Sequence, residues 1–291
     1  LNEPYLIIDL NDDKIIFFVV SFNDKKDFKV LKKIILETTG IQNGRIVNIE
    51  AVSQLLKKTI SIIEDEVNFF FSNTSVIINP NQINCLNVSG YKKLNGSQVS
   101  SDDIAYILND IKKIILEGEN NYSLVHLFNS NFSLDSDNLE NLPIGLFGEF
   151  YNQNMTFFLA NKNAIKNIQS VFNNCGLSIN KIILKPFAEG VNLLSTNHLD
   201  KDFTILRLEK NRINISLFKN KSFVFTEDFN FGFNLVIKDL SKLCSLKIEE
   251  VENLMKNIDL KNLIENHNHP NLEKKYFYIS PYRQIRYQLI L

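Results

Sequence analysis

The chain has 291 residues, 44% hydrophobic and 22% charged, with a net charge of −1. These values fit a soluble globular protein large enough for two cores, and they exclude the concentrated basic face that nucleic acid requires. Cys85, Cys175 and Cys244 are too scattered for a disulfide framework or a cysteine metal site, and no apolar run approaches the ~20 residues of a membrane span. The N-terminus lacks the basic and apolar regions of a secretion signal, so a cytoplasmic protein is expected.

Apolar runs at 5–10 and 14–20 flank Asn11-Asp12-Asp13 and predict a β-hairpin. A strand is expected over 28–38, then a glycine-bracketed loop from Gly40 to Gly44. Val52, Leu55, Leu56, Ile63 and Val67 recur at helical spacing behind Asn48, a suitable N-cap. A short strand follows at 76–78. Between 79 and 151 the composition shifts toward Asn and Ser, which predicts a small inserted α+β subdomain. Its helix carries Ile104, Ile107, Leu108, Ile111, Ile114 and Ile115 on one stripe, with Ser100 and Asp103 as capping pair and Gly118 as stop. Strands are expected at 84–89, 124–132 and 144–150.

The first lobe resumes over 152–199, with a strand at 155–160, a helix from Ala164 to Cys175 stopped by Gly176, a strand at 181–184 and a helix at 186–194. Asp200-Lys201-Asp202 reads as a hinge. A second hairpin spans 200–228, with strands at 203–208 and 213–218 around Glu209-Lys210-Asn211-Arg212. Two helices, at 234–243 and 248–257, open the remaining stretch, 229–291. His267 and His269 fall in a polar loop, and two histidines without nearby cysteines read as exposed side chains, not a metal site. His126, inside an apolar strand, reads as a structural histidine, and Phe69-Phe70-Phe71 as core packing. Alternating strands and helices with an insertion in the first half give an α/β fold. No nucleophile–base–acid set stands out, and no metal site is expected.

Several stretches, in order, resemble the FtsA-type actin-like division proteins. They are Gly40-x-x-x-Gly44-Arg45-Ile46-Val47-Asn48, Val88-Ser89-Gly90, Val125-His126 with Phe132-Ser133-Leu134-Asp135, Pro143-Ile144-Gly145-Leu146-Phe147-Gly148, and the helix that ends in Cys175-Gly176-Leu177. The resemblance implies an actin-like, ribonuclease-H-like fold of two lobes, with the subdomain inserted in the first. It also implies an ATP–Mg²⁺ site in which glycine-containing hairpin turns hold phosphates. Asp9, Lys14, Gly232, Asp239 and Glu252 match positions of that site. The turns depart from it. Asn11-Asp12-Asp13 is acidic where phosphates would lie, and Arg207, Glu209-Lys210-Asn211 and Arg212 replace an Asp, the glycines and a Thr. Asn214 replaces a second Asp, and Met255 falls at the Lys partner of Glu252.

The expectation is therefore a pseudo-ATPase with no cofactor, in which ATP–Mg²⁺ binding is weakened or lost. By resemblance it would be an adaptor of the division ring at the cytoplasmic face of the membrane. Stretch 229–291 would receive the FtsZ C-terminal tail, and 79–151 would meet other division proteins or further copies of the chain. The family's amphipathic membrane helix does not occur in these residues, so membrane attachment is expected only through residues beyond them. The alternatives are a pilus-assembly actin-like adaptor binding a membrane-protein tail, an active ATPase or sugar-kinase relative, and a purely structural module.

Overall fold

The computed structural model describes residues 3–23, 27–79, 83–196 and 202–257, and the backbone of 277–279 and 287–290. The chain divides into two compact units, Leu1–Thr196 and Asn197–Leu291. In the first, β1 (Tyr5–Leu10) and β2 (Lys14–Phe22) form the expected hairpin, and β3 (Phe28–Glu37) continues the antiparallel run. The strands β4 (Ile41–Gln42) and β5 (Arg45–Ile46) pair across Asn43-Gly44, both with positive φ. That turn suits the twist of a two-residue hairpin. The helix α1 (Ile49–Val67) then buries Val52, Leu56, Ile60 and Ile63 along one stripe. Asn48 caps it, its Oδ1 accepting from the Ala51 N–H at 2.9 Å.

The strand β6 (Asn73–Ile78) returns parallel to β1, and the chain then leaves this sheet. The excursion comprises β7 (Ile83–Lys93), α2 (Ser101–Gly118), β8 (Tyr122–Leu134), β9 (Asp137–Leu139) and β10 (Phe150–Asn161). After it, α3 (Lys162–Asn174), β11 (Ser178–Leu184) and α4 (Lys185–Thr196) complete the unit. The first sheet has the order β11-β6-β1-β2-β3, with β11 parallel to β6. Both parallel connections carry a helix, as such crossovers require.

The excursion forms its own four-stranded sheet, β7-β10-β8-β9. Its central strand β10 pairs with β7 and β8 along its whole length, so the inserted unit runs to Asn161, past the boundary of 151 drawn from sequence. Its core gathers Leu94, Val99, Ile107, Ile115, Leu134, Tyr151, Met155, Phe157 and Leu159. The helix α2 lies close on this sheet at Gly90, where a Cβ would stand 2.3 Å from the Ile107 side chain. The Ser100–Asp103 capping box is present, while Gly118 is an ordinary last helical residue and Glu119 caps the end. The expected strand at 144–150 is instead an irregular stretch that opens on a turn and reaches β10 only at Phe150. Pro143 and Gly145, with φ +86, break the extended run, and only Phe147 makes an isolated bridge, to Gln98. Of the three phenylalanines at 69–71, Phe71 is buried and Phe70 is 83% exposed.

In the second unit, β12 (Phe203–Leu208) and β13 (Ile213–Lys219) form the second hairpin. A third strand, β14 (Ser222–Phe229), repeats the antiparallel run of the first sheet. The helices α5 (Phe233–Cys244) and α6 (Ile248–Asn257) pack on each other through Phe233, Ile237 and Val251. The strands β15 (Phe277–Ile279) and β16 (Tyr287–Ile290) rejoin the sheet in the order β14-β13-β12-β16-β15, so 229–291 is not one separate subdomain. The expected hinge at 200–202 falls largely outside the described residues, and His267 and His269 lie wholly outside them.

His126 joins the inserted sheet to the first one. Its Nε2 accepts the Leu184 N–H at 3.0 Å, and its ring packs on Phe128 and Phe187. Burial pushes its pKa from 6.5 down to about 4. A depressed histidine favours the folded state above its unfolded pKa, and this contribution is lost as pH falls toward the folded value. The chain should therefore lose on the order of 1–3 kcal/mol between about pH 6.5 and 4. His126→Gln, which keeps an acceptor without the titration, should flatten that slope in urea unfolding at graded pH.

Candidate functional site

Asp9 stands next to last in the central strand β1 and is buried. Its Oδ2 accepts from Lys185 Nζ at 2.8 Å, and Asn11 Oδ1 accepts from the same ammonium. Asp9 Oδ1 is buried without a hydrogen-bond partner. Lys185 opens α4 directly after β11, and both side chains of the pair are 9% exposed. The turn itself is knitted into the unit: Asp12 Oδ1 accepts the Gly44 N–H at 2.7 Å, and the Asp13 carbonyl accepts the Thr38 N–H. This explains the paired glycines of the 40–44 loop. Gly44, with φ +68, presents its N–H to Asp12, and a Cβ on Gly40 would meet the Val52 side chain at 2.5 Å. Lys14 lies across from Glu37 at the start of β2 and is half-buried.

The second hairpin is closed from within. Arg212 Nε donates to Glu209 Oε2 at 2.6 Å across its turn. Arg207 is 2% exposed and stands across β12–β13 from Asn214. Asn214 Nδ2 donates to Thr226 Oγ1 and Asp228 Oδ1, and Ser216 Oγ donates to Asn214 Oδ1. Burial pushes the Asp228 carboxyl up, with Arg212 pulling the other way. Behind the turn, Gly232 caps α5. The Phe233 N–H donates to the Glu209 carbonyl and the Asn234 N–H to the Lys210 carbonyl, both at 2.9 Å. The first N–H groups of a helix attract anions when free. Two of them are spent here on the turn.

Of the residues matched by sequence, Asp9 and Lys14 lie in the first unit, and Gly232, Asp239 and Glu252 in the second. Within each unit they do not converge. Asp9 pairs with Lys185, which sequence reasoning missed, and Lys14 sits beyond the turn. Gly232 packs on the second turn, Asp239 is exposed on α5, and Glu252 is half-buried on α6. The donors around Asp9 include an ammonium where a divalent ion would need open oxygen atoms. Among the described residues, no group of three or more His, Cys, Asp or Glu side chains could hold a metal.

No family model matches the chain. Among curated proteins it is 21% identical to the cell division protein FtsA of Neisseria meningitidis, over 84% of the chain and 59% of that relative. It is 20% identical to FtsA of Buchnera aphidicola from Schizaphis graminum, over 85% of the chain and 59% of the relative. It is 22% identical to FtsA of Rhizobium meliloti, over 75% and 49%. The chain resembles FtsA. It spans only 49–59% of the length of these relatives. The solved PilM–PilN type IV pilus biogenesis complex superposes with a TM-score of 0.57 at 11% identity, over 88% of this chain and 70% of that one. The fold is actin-like. In this FtsA-like chain the two hairpins keep the architecture, and their turns are filled by their own side chains and carbonyls.

A side chain on Gly232 would meet backbone: its Cβ would lie 2.4 Å from the Glu209 carbonyl oxygen and 2.5 Å from the Arg212 nitrogen. Gly232→Ala should cost on the order of 1–3 kcal/mol through this overlap. Gly118→Ala, with nothing within 4 Å of its added Cβ, should be neutral or slightly stabilising. Urea unfolding of both variants checks the contrast.

Proposed function

We propose that this chain is an actin-like adaptor of the bacterial division ring. It receives the FtsZ C-terminal tail at the cytoplasmic face of the membrane, and it does not hydrolyse ATP. The observation that carries the division role is the resemblance to FtsA over most of the chain. Two apolar surfaces support the adaptor part. On α5 and α6, Leu235, Val236, Leu243 and Leu254 are exposed apolar side chains that a partner could cover. On the inserted subdomain, Leu142, Ile144, Leu146 and Phe147 are exposed on one turn, a candidate contact for other division proteins or a second copy.

The internally closed hairpins support the second half of the reading. A phosphate cradle needs backbone N–H groups turned outward. Here the Phe233 and Asn234 N–H groups face Glu209 and Lys210, and the Asp9 carboxylate already holds an ammonium. Among the described residues no helix is long and apolar enough to cross a membrane.

A labelled FtsZ C-terminal peptide should bind the purified chain with micromolar affinity by fluorescence anisotropy. Leu243→Asp, at a side chain 82% exposed, should weaken it roughly tenfold with no change in melting temperature. Absence of binding would sink the FtsZ assignment, and binding of a pilus membrane-protein tail instead would move the chain to a pilus-type adaptor. Calorimetry with ATP–Mg²⁺ should show no binding heat; micromolar affinity would overturn the pseudo-ATPase half alone.

A further inference from the structure

The first hairpin holds a charge arrangement that the adaptor role leaves unexplained. Two oxygen atoms accept from one ammonium, Asp9 Oδ2 and Asn11 Oδ1, and the other oxygen of the same carboxylate, Asp9 Oδ1, is buried with no hydrogen-bond partner. A carboxylate and an amide oxygen are the hard donors that Mg²⁺ and Mn²⁺ prefer, with water completing the shell. Their cation here is covalently attached. Lys185 reaches the site from the first residue of α4, where Pro186 restrains the backbone and the preceding Leu184 N–H is held by His126. A cation fixed in this way loses little freedom on pairing, while a dissolved ion loses much more. A second cation on this one buried carboxylate would be repelled by the first, because the repulsion is little screened there.

We infer that Lys185 is the resident cation of the Asp9 site: it excludes divalent metal ions, and removing its charge uncovers a divalent-cation site built from Asp9 and Asn11. The inference rests on the reading that the first hairpin has left Mg²⁺–nucleotide chemistry. It goes further by naming one residue as the cause at this position. The two oxygens that accept from the ammonium become open ligands when it is removed, and the partnerless Asp9 Oδ1 adds a third.

The test uses Mn²⁺ alone with the full chain, followed by electron paramagnetic resonance of the free ion and by thermal unfolding. The wild-type chain should take up no Mn²⁺ at this position. Lys185→Ala should bind one Mn²⁺ with roughly micromolar affinity, and its melting temperature should rise as Mn²⁺ is added. Asp9→Asn in the Lys185→Ala background should abolish both effects. Should Lys185→Ala fail to fold, Lys185→Met keeps the length of the side chain without charge or donor and should show the same gain. A folded, uncharged variant with no gain over wild type overturns the inference. So does Mn²⁺ binding by the wild-type chain that Asp9→Asn removes. Nucleotide plays no part in this titration. ATP–Mg²⁺ binding by the wild type would defeat the pseudo-ATPase reading, and failure of the uncharged variants to gain Mn²⁺ would defeat the Lys185 assignment.

Discussion

A carboxylate near the end of a central strand is surrounded by protein and has to be neutralised there. The Asp9 side chain is only 9% exposed, and the Lys185 ammonium 2.8 Å away supplies the opposite charge. Leaving either group alone in such a setting costs about 3–5 kcal/mol, so the pair constrains everything it touches. It ties β1, the middle of the first sheet, to the point where β11 becomes α4. One residue earlier, His126 from the inserted sheet accepts the Leu184 N–H. The junction between the edge strand and its helix is thereby held from two sides, once by charge and once by an uncharged imidazole.

The second hairpin meets the same requirement with different chemistry. Arg207 and Arg212 are buried, and Glu209 and Asp228 supply opposite charge within the same three-stranded run. Asn214, Ser216 and Thr226 occupy the remaining hydrogen-bonding capacity between the strands. A polar network buried this completely is stabilising only if nearly every member is satisfied. It therefore specifies one register of β13 against β14, and a slip of one residue would turn these polar groups out of the network.

Much of this architecture was legible because it follows from periodicity and capping. The stripe on α1, the Asn48 cap, the Ser100–Asp103 box and the Gly176 stop each have local chemical causes, and each was visible as a residue pattern. What escaped notice depends on distant partners. The strand β14 mixes Ser, Thr, Glu and Asp into its run, and it is a strand because β13 pairs with it. The stretch around Pro143 to Gly148 is apolar enough for a strand, yet its glycine and proline bend it into a turn. Lys185 gave no local signal, since a lysine before Pro186 reads as an ordinary helix start. Its meaning comes from Asp9, 176 positions away.

Glycine shows most clearly why a similar shape need not serve the same use. At a phosphate loop, glycine lets backbone N–H groups approach a ligand. Gly232 has the same steric role, since any Cβ would strike the Glu209 and Arg212 backbone, but what approaches it is the protein's own turn. The φ of Gly232 is −149, which any residue can adopt, so the demand is for space alone. Glycine spacing at such a turn therefore does not distinguish a ligand cradle from a self-packed corner. The destination of the helix N–H groups does, and in this chain the Phe233 and Asn234 N–H groups end on Glu209 and Lys210.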